Sequence, residues 1–283
     1  LRPTSLPEAL AALAAGGAEG RPRVVVAGAT DHYPARVGRV VDEDVLDVSG
    51  LAGLREIREA DGGWWIPAGA TWTELVERTL PACFDGFKRA ARAVGGLQVQ
   101  NRGTIVGNLC TASPAADGVP NLLALDAVVE RASVRGTRRV PVAGFAAGNR
   151  TTVRAADELA TGLFVPDPAA GDGAVARSTF LKLGARAYLV ISIAMVAAVV
   201  VCDARGRITS ARVAVGACSA VAQRLATLEA ELAGRQLVPG IGALVRADHL
   251  ALLTPIDDVR AGAAYRLEAA EILVRRALEE LAS

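Results

Sequence analysis

Two stretches of the chain carry residue types suited to a phosphate-bearing ligand. The first is Val26-Ala27-Gly28-Ala29-Thr30-Asp31, directly after the β-branched run that begins at Val24. Glycine in such a turn adopts positive φ freely and lets the backbone approach a ligand closely. Successive N–H groups there form a nest that binds anions. The stretch is neither G-x-G-x-x-G nor a P-loop, and a plain strand-ending turn has the same composition. The second stretch is Gly95-Gly96-Leu97-Gln98-Val99-Gln100-Asn101-Arg102-Gly103-Thr104-Ile105-Val106-Gly107-Asn108, continuing through Cys110 and Ser113-Pro114 to Asp117. Its four glycines and many amide or hydroxyl residues show no obvious helix or strand. Small residues let a chain wrap a ligand, and an unstructured loop of this length is uncommon unless functional.

Other reactive constellations fail. No serine sits in a G-x-S-x-G elbow. His32 lies beside the first loop, within reach of a phosphate, and His249 reads as a helix-surface residue. Neither has a paired ligand or nucleophile nearby in sequence, so neither reads as catalytic. Trp64-Trp65 reads as packing, Arg138-Arg139 as a solvated strand edge, and Cys110 as a small buried residue. The four cysteines stand far apart with no C-x-x-C pair, which argues against zinc, an iron–sulfur cluster or a disulfide framework within this chain.

These loops need elements to position them. The 283 residues are 52% apolar, enough for roughly two domains. A net charge of +1 argues against nucleic acid and anionic membrane surfaces as partners. The N-terminal residues show no basic-then-apolar signal pattern, so a cytoplasmic location is expected. Ser5 and Glu8 form a capping box ahead of Leu6, Leu10 and Leu13 at helical spacing. Residues 23–27 read as a buried strand. Thr71 and Glu74 form a second capping box, opening a helix with Leu75, Val76 and Leu80. Residues 127–134 and 138–142 read as a hairpin around Gly136. Pro166 to Gly173 is a linker candidate. Beyond it, the apolar run Leu189 to Cys202, broken only by Ser192, is too short for a comfortable membrane span and reads as core. It pairs with 208–215 as a hairpin, and helices follow around Leu225 to Leu232 and from about Ala261.

In order along nearly the whole chain, these pieces resemble the FAD-binding subunit of the molybdenum hydroxylases, the xanthine dehydrogenase and carbon monoxide dehydrogenase family. Ala27-Gly28-Ala29-Thr30-Asp31 is similar to that family's A-G-G-x-[DS]. Asn101 to Asn108, with Ser113-Pro114 and Asp117, is similar to its R-N-x-G-T-I-G-G-N…S-P-x-x-D. Phe145 to Thr152, Asp157-Glu158-Leu159, Lys182 to Arg186 and Asp257 to Arg266 resemble later family segments.

The resemblance implies an α+β fold. A two-lobed FAD-binding domain would span 1–170, and a small domain of antiparallel sheet and helices would span 175–283. It implies that the Gly28, Ala29, Thr30 and Asp31 backbone holds the FAD diphosphate, with Val24, Val25, Val26 and Ala27 lining the cofactor. Val99, Gly103, Thr104, Val106, Gly107 and Asn108 would form the second diphosphate and flavin loop. Ser113 and Asp117 would reach sugar or ribityl hydroxyls, an ionised carboxylate being a strong acceptor. Leu159 would pack on the cofactor rings or serve as ordinary core. Ala29 and Val106 replace family glycines, and a valine at positive φ would be strained. Val94 stands where some members place an aromatic residue, and Val190 where the family has aspartate. The implied role is electron transfer. Electrons from a molybdopterin-binding subunit would pass through a [2Fe-2S] subunit to this FAD, then to NAD+, oxygen or another acceptor, in a dimer of heterotrimers. The alternative is a scaffold subunit of the same complex without cofactor. A self-contained flavin oxidase would need its own base, and the sequence offers none.

Overall fold

The computed structural model describes every residue except Pro22, Val41, Gly171 and Asp172. The chain opens with helix α1 (Leu6–Ala15). Its capping box forms: the Glu8 carboxylate accepts from the Ser5 backbone N–H at 3.3 Å. Strand β1 (Arg23–Val26) pairs in parallel with β2 (Asp44–Asp47) and has no other strand partner among the described residues. The expectation of a buried strand is therefore corrected. Only Val26 is buried, and Val24 and Val25 are half-buried, because a two-stranded sheet covers one face. Ala9, Leu13, Leu46, Val48, Leu51 and Leu159 form the core of this small lobe.

The second lobe begins with β3 (Arg58–Ala60), β4 (Gly63–Pro67), α2 (Trp72–Glu77) and α3 (Asp85–Ala93). Leu80 lies past the end of α2, which stops at Glu77. Next come α4 (Leu97–Gln100), α5 (Ile105–Thr111) and α6 (Gly118–Ala124). The Gly95–Asp117 stretch is thus not an irregular loop. Thr104 caps α5, and Ile105 and Leu109 share its buried face, a period that the intervening glycine and asparagine diluted. The expected hairpin is β5 (Val128–Ser133) and β6 (Gly136–Pro141), with Ser133 opposite Gly136. A short hairpin, β7 (Ala146–Gly148) and β8 (Thr151–Thr152), precedes β9 (Leu159–Pro166). The resulting five-stranded sheet runs β3-β4-β9-β5-β6, all antiparallel. Trp64 and Trp65 are buried in β4. Arg138 and Arg139 lie on the edge strand, paired with Glu158 and Glu130.

The chain then forms β10 (Val175–Leu183), β11 (Ala194–Cys202), β12 (Ile208–Gly216) and β13 (Gln223–Arg224) as an antiparallel sheet, followed by α7 (Ala226–Leu232) and α8 (Ala263–Ala282). Gly171 and Asp172 of the expected linker lie outside the described residues. All of β11 is buried. Met195, Ala197, Val199 and Val201 join the core of the second lobe, while Val196, Ala198 and Val200 join the core under α8. Burial on both faces explains the unbroken apolar run. The run's start is corrected: Leu189 and Ile191 lie before the strand and are exposed.

Arg266 on α8 is 1% exposed. It donates to the carbonyls of Ile193 at 2.6 Å and Ala217 at 3.2 Å, and to Asp258 at 2.7 Å. It thereby joins α8 to the start of β11 and the end of β12. Arg260, with Arg266 adding to it, holds the Asp258 carboxyl below the usual carboxylate range. Arg266→Met should lower unfolding free energy by about 3 kcal/mol, since it strands the buried Ile193 and Ala217 carbonyls, while Asp258 keeps Arg260. A urea titration reads this as a lower midpoint at unchanged slope.

Candidate functional site

A cleft opens between the small lobe and the second lobe. Ala27 and Gly28 line it from one side and Gly69, Thr71, Arg102 and Thr104 from the other, with Val48, Leu51 and Leu54 between them. The first loop leaves β1 and turns at Ala29, whose φ is +57°. A left-handed alanine costs roughly 1 kcal/mol. Among the described residues, no protein acceptor takes the backbone N–H groups of Gly28 through His32. The turn therefore presents a row of free donors, the nest that an anion requires.

Gly28 also meets the second loop directly. A Cβ there would stand 1.8 Å from the Arg102 carbonyl oxygen and 2.9 Å from the Gly103 Cα. The close approach is between the two loops themselves. The second loop is held in turn by the Trp72 N–H on the Gly103 carbonyl at 3.2 Å and the Ile105 N–H on Ala70 at 3.1 Å. Val99 is half-buried on α4. Its carbonyl accepts from the Gly103 N–H at 2.6 Å.

Thr104 Oγ1 accepts from the Gly107 N–H at 3.0 Å, and a Cβ on Gly107 would sit 2.6 Å from that oxygen. A side chain at 107 would therefore require the Thr104 hydroxyl to shift. Val106 is buried in the first turn of α5 and has no positive φ. The strain expected there is absent because the position is helical. Asn108 Oδ1 accepts from the Gly118 N–H at 3.2 Å and ties α5 to α6. Ser113 is half-buried, and its Oγ accepts from Ala115. Leu159 is buried in the small-lobe core.

Asp117 is buried, and each of its oxygens already has a donor. Lys182 Nζ reaches Oδ2 at 2.6 Å and Ser192 Oγ reaches Oδ1 at 2.6 Å. Burial pushes this carboxyl up, and Lys182 pulls it back. Lys182 also lines a second cavity with Arg89, Phe180, Gly184 and Val190. Sequence reasoning missed Lys182 and Ser192 as partners of Asp117. Their signals were present: Lys182 is one of two lysines, and Ser192 alone interrupts an apolar run.

The remaining candidates are His32, His249 and Cys110. His32 is buried with Nε2 unpartnered, and burial together with Arg36 lowers its pKa. His249 is not on a surface but is 3% exposed. Its Nδ1 accepts from the Arg246 N–H at 3.1 Å, and its Nε2 lies 3.1 Å from Glu231. Cys110 is half-buried, and burial pushes its thiol up to about 11, so it stays protonated at neutral pH.

The profile of the FAD binding domain in molybdopterin dehydrogenase matches residues 1–168. The chain belongs to the FAD-binding subunits of the molybdenum hydroxylases. The profile of the carbon monoxide dehydrogenase flavoprotein C-terminal domain matches 179–281. The nicotine 6-hydroxylase medium subunit of Paenarthrobacter nicotinovorans is 30% identical over 260 residues, 90% of this chain and 88% of that one. The nicotinate dehydrogenase FAD-subunit of Eubacterium barkeri is 35% identical over 177 residues, 61% of this chain and 58% of that one. A chain of the solved carbon monoxide dehydrogenase from Hydrogenophaga pseudoflava superposes with a TM-score of 0.87 at 28% identity, covering 99% of this chain and 95% of that one. This flavoprotein family is one of oxidoreductase subunits, and the α+β architecture expected for it is the one observed.

Asp117→Asn should destabilise the protein by about 3 kcal/mol, because it leaves the Lys182 ammonium buried without its counter-charge. Adding Lys182→Met should return part of that loss. Denaturant melts of the two single variants and the double variant measure the coupling, and strict additivity would rule the pair out as a unit.

Proposed function

We propose that this chain binds FAD across the cleft, with the diphosphate on the nest of Gly28 to Asp31. Val24 to Ala27 would flank the cofactor. Residues 99–108, from Val99 through Asn108, would close over it from the second lobe, and Ser113 would face its hydroxyls; Asp117, already taken by Lys182 and Ser192, would act there only through the second lone pairs of its oxygens. The observation that carries this reading is the row of unpartnered N–H groups following a left-handed Ala29. Such donors stabilise an anion and have no structural use without one. Bound FAD supplies the redox chemistry; the protein supplies position and field. The Gly28–Arg102 contact fixes the separation of the two loops, and Thr104 orders the start of α5. Lys182 brings a cation to the second cavity.

As a subunit, the chain would accept electrons from an iron–sulfur subunit served by a molybdopterin-binding subunit. It would pass them to NAD+, oxygen or another acceptor. The scattered cysteines support placing the clusters on a partner. We take the assembly to be a dimer of heterotrimers in the cytoplasm, where thiols such as these four free ones stay reduced. Among the described residues, no helix is long and apolar enough to cross a membrane. The FAD-free scaffold reading is not favoured. Ala29 keeps the turn that the replaced glycine would make, and Val106 occupies a helical position. The division at 1–170 and 175–283 is supported by the extents of the two matching profiles.

Purified chain should show the absorbance of oxidised flavin, or acquire it with added FAD. A chain that stays colourless with FAD in excess would sink the reading. Ala29→Gly relaxes the positive φ and should keep FAD while raising stability by up to about 1 kcal/mol. Ala29→Val should lose FAD, because a β-branched side chain resists that conformation. Equilibrium dialysis against FAD, with a thermal melt of each variant, checks both outcomes.

A further inference from the structure

We propose that Arg150 is a positioning residue for the cofactor loop: it clasps Asp31 and sets how fast FAD leaves the cleft. The inference rests on the cofactor reading above and adds a residue outside the two loops. Arg150 Nη1 meets Asp31 Oδ2 at 2.9 Å, and Nη2 meets Oδ1 at 3.2 Å. Two parallel bonds between a planar guanidinium and a carboxylate fix orientation as well as distance.

Arg150 sits in the turn between β7 and β8 at φ +55°. Its backbone N–H donates to the Ala112 carbonyl at 2.9 Å. Ala112, at φ +47°, ends α5, whose other end begins at Thr104 in the cleft. One residue therefore ties the first loop to the far end of the helix that forms the second. Ala29, Ala112 and Arg150, three of the seven left-handed non-glycine residues among the described ones, lie on this connected path. Such conformations persist only where the surroundings over-determine them, and they collect at functional sites.

Stability of the fold does not account for the pair. Arg150 and Asp31 are 56% and 48% exposed, and ion pairs that open to water contribute little to folding. Its effect falls on the loop, whose N–H groups have no protein acceptor among the described residues. Arg36 acts on both charges from nearby, but its guanidinium is taken by Glu43, at 2.9 and 3.1 Å from Nε. Arg150 also offsets the Asp31 carboxylate, which would otherwise repel a diphosphate beside it.

The test is the rate of FAD release from the full chain, followed by the rise in free-flavin fluorescence after dilution. Arg150→Gly is the main variant, because glycine keeps the left-handed turn without strain and its melting temperature should match the parent. It should release FAD about tenfold faster. In an Asp31→Asn background, the same change should have no further effect. Release at the parent rate, or an equal acceleration in the Asp31→Asn background, overturns the clasp. A parent chain that takes up no FAD overturns the cofactor reading and the clasp with it. A parent that holds FAD beside an unaffected Arg150→Gly overturns the clasp alone.

Discussion

The backbone contact at Gly28 is the constraint on which the cleft depends. The first loop belongs to a two-stranded sheet with a small core of its own. The second loop belongs to the larger lobe, pinned at Gly103 and Ile105 to the segment ahead of α2. The lobes can share a cleft only if these loops meet without side chains between them. A single methyl at position 28 would enter the Arg102 carbonyl. The glycine is needed by the protein before it is needed by any ligand.

A second constraint joins the C-terminal sheet to that platform. Strand β11 is covered on both faces, so it buries apolar surface twice over. Two polar links cross the same region. Asp117 from the start of α6 meets Lys182 and Ser192 beside the sheet, and Arg266 holds the carbonyls flanking β11 and β12. Charges in such an interior must be paired to be tolerated. Their geometry therefore fixes orientation where apolar packing alone permits sliding. The Lys182 cation reaches the second cavity through this same pairing.

Local features of this fold were legible in the sequence. The capping boxes at Ser5 and Thr71, the turn at Gly136 and the long apolar strand all follow from residues close together in the chain. The order of the loop motifs identified the family, and the family model bears that out. What escaped was long-range. Asp117 finds its partners 65 and 75 residues away, and Gly28 finds its neighbour at Arg102. No pattern in a single stretch encodes such a meeting. Helices α4 and α5 were missed for another reason: they are short, and glycine and asparagine blur their apolar period. His249 read as a surface residue because Glu231 on α7, 18 residues away, becomes its neighbour only when the chain folds back.

The two substituted glycines show why composition misjudges such a site. Both replacements look alike in the sequence, yet they pose separate physical problems. At position 29 the backbone must be left-handed, and alanine meets that requirement at a small cost. At position 106 the backbone is helical, and valine fills a buried space with no conformational demand. What the first loop offers is a row of N–H groups without a protein acceptor among the described residues. The course of that loop runs through the Gly28 contact and the left-handed turn at Ala29. A count of glycines measures neither the left-handed turn at 29 nor the helical turn at 106.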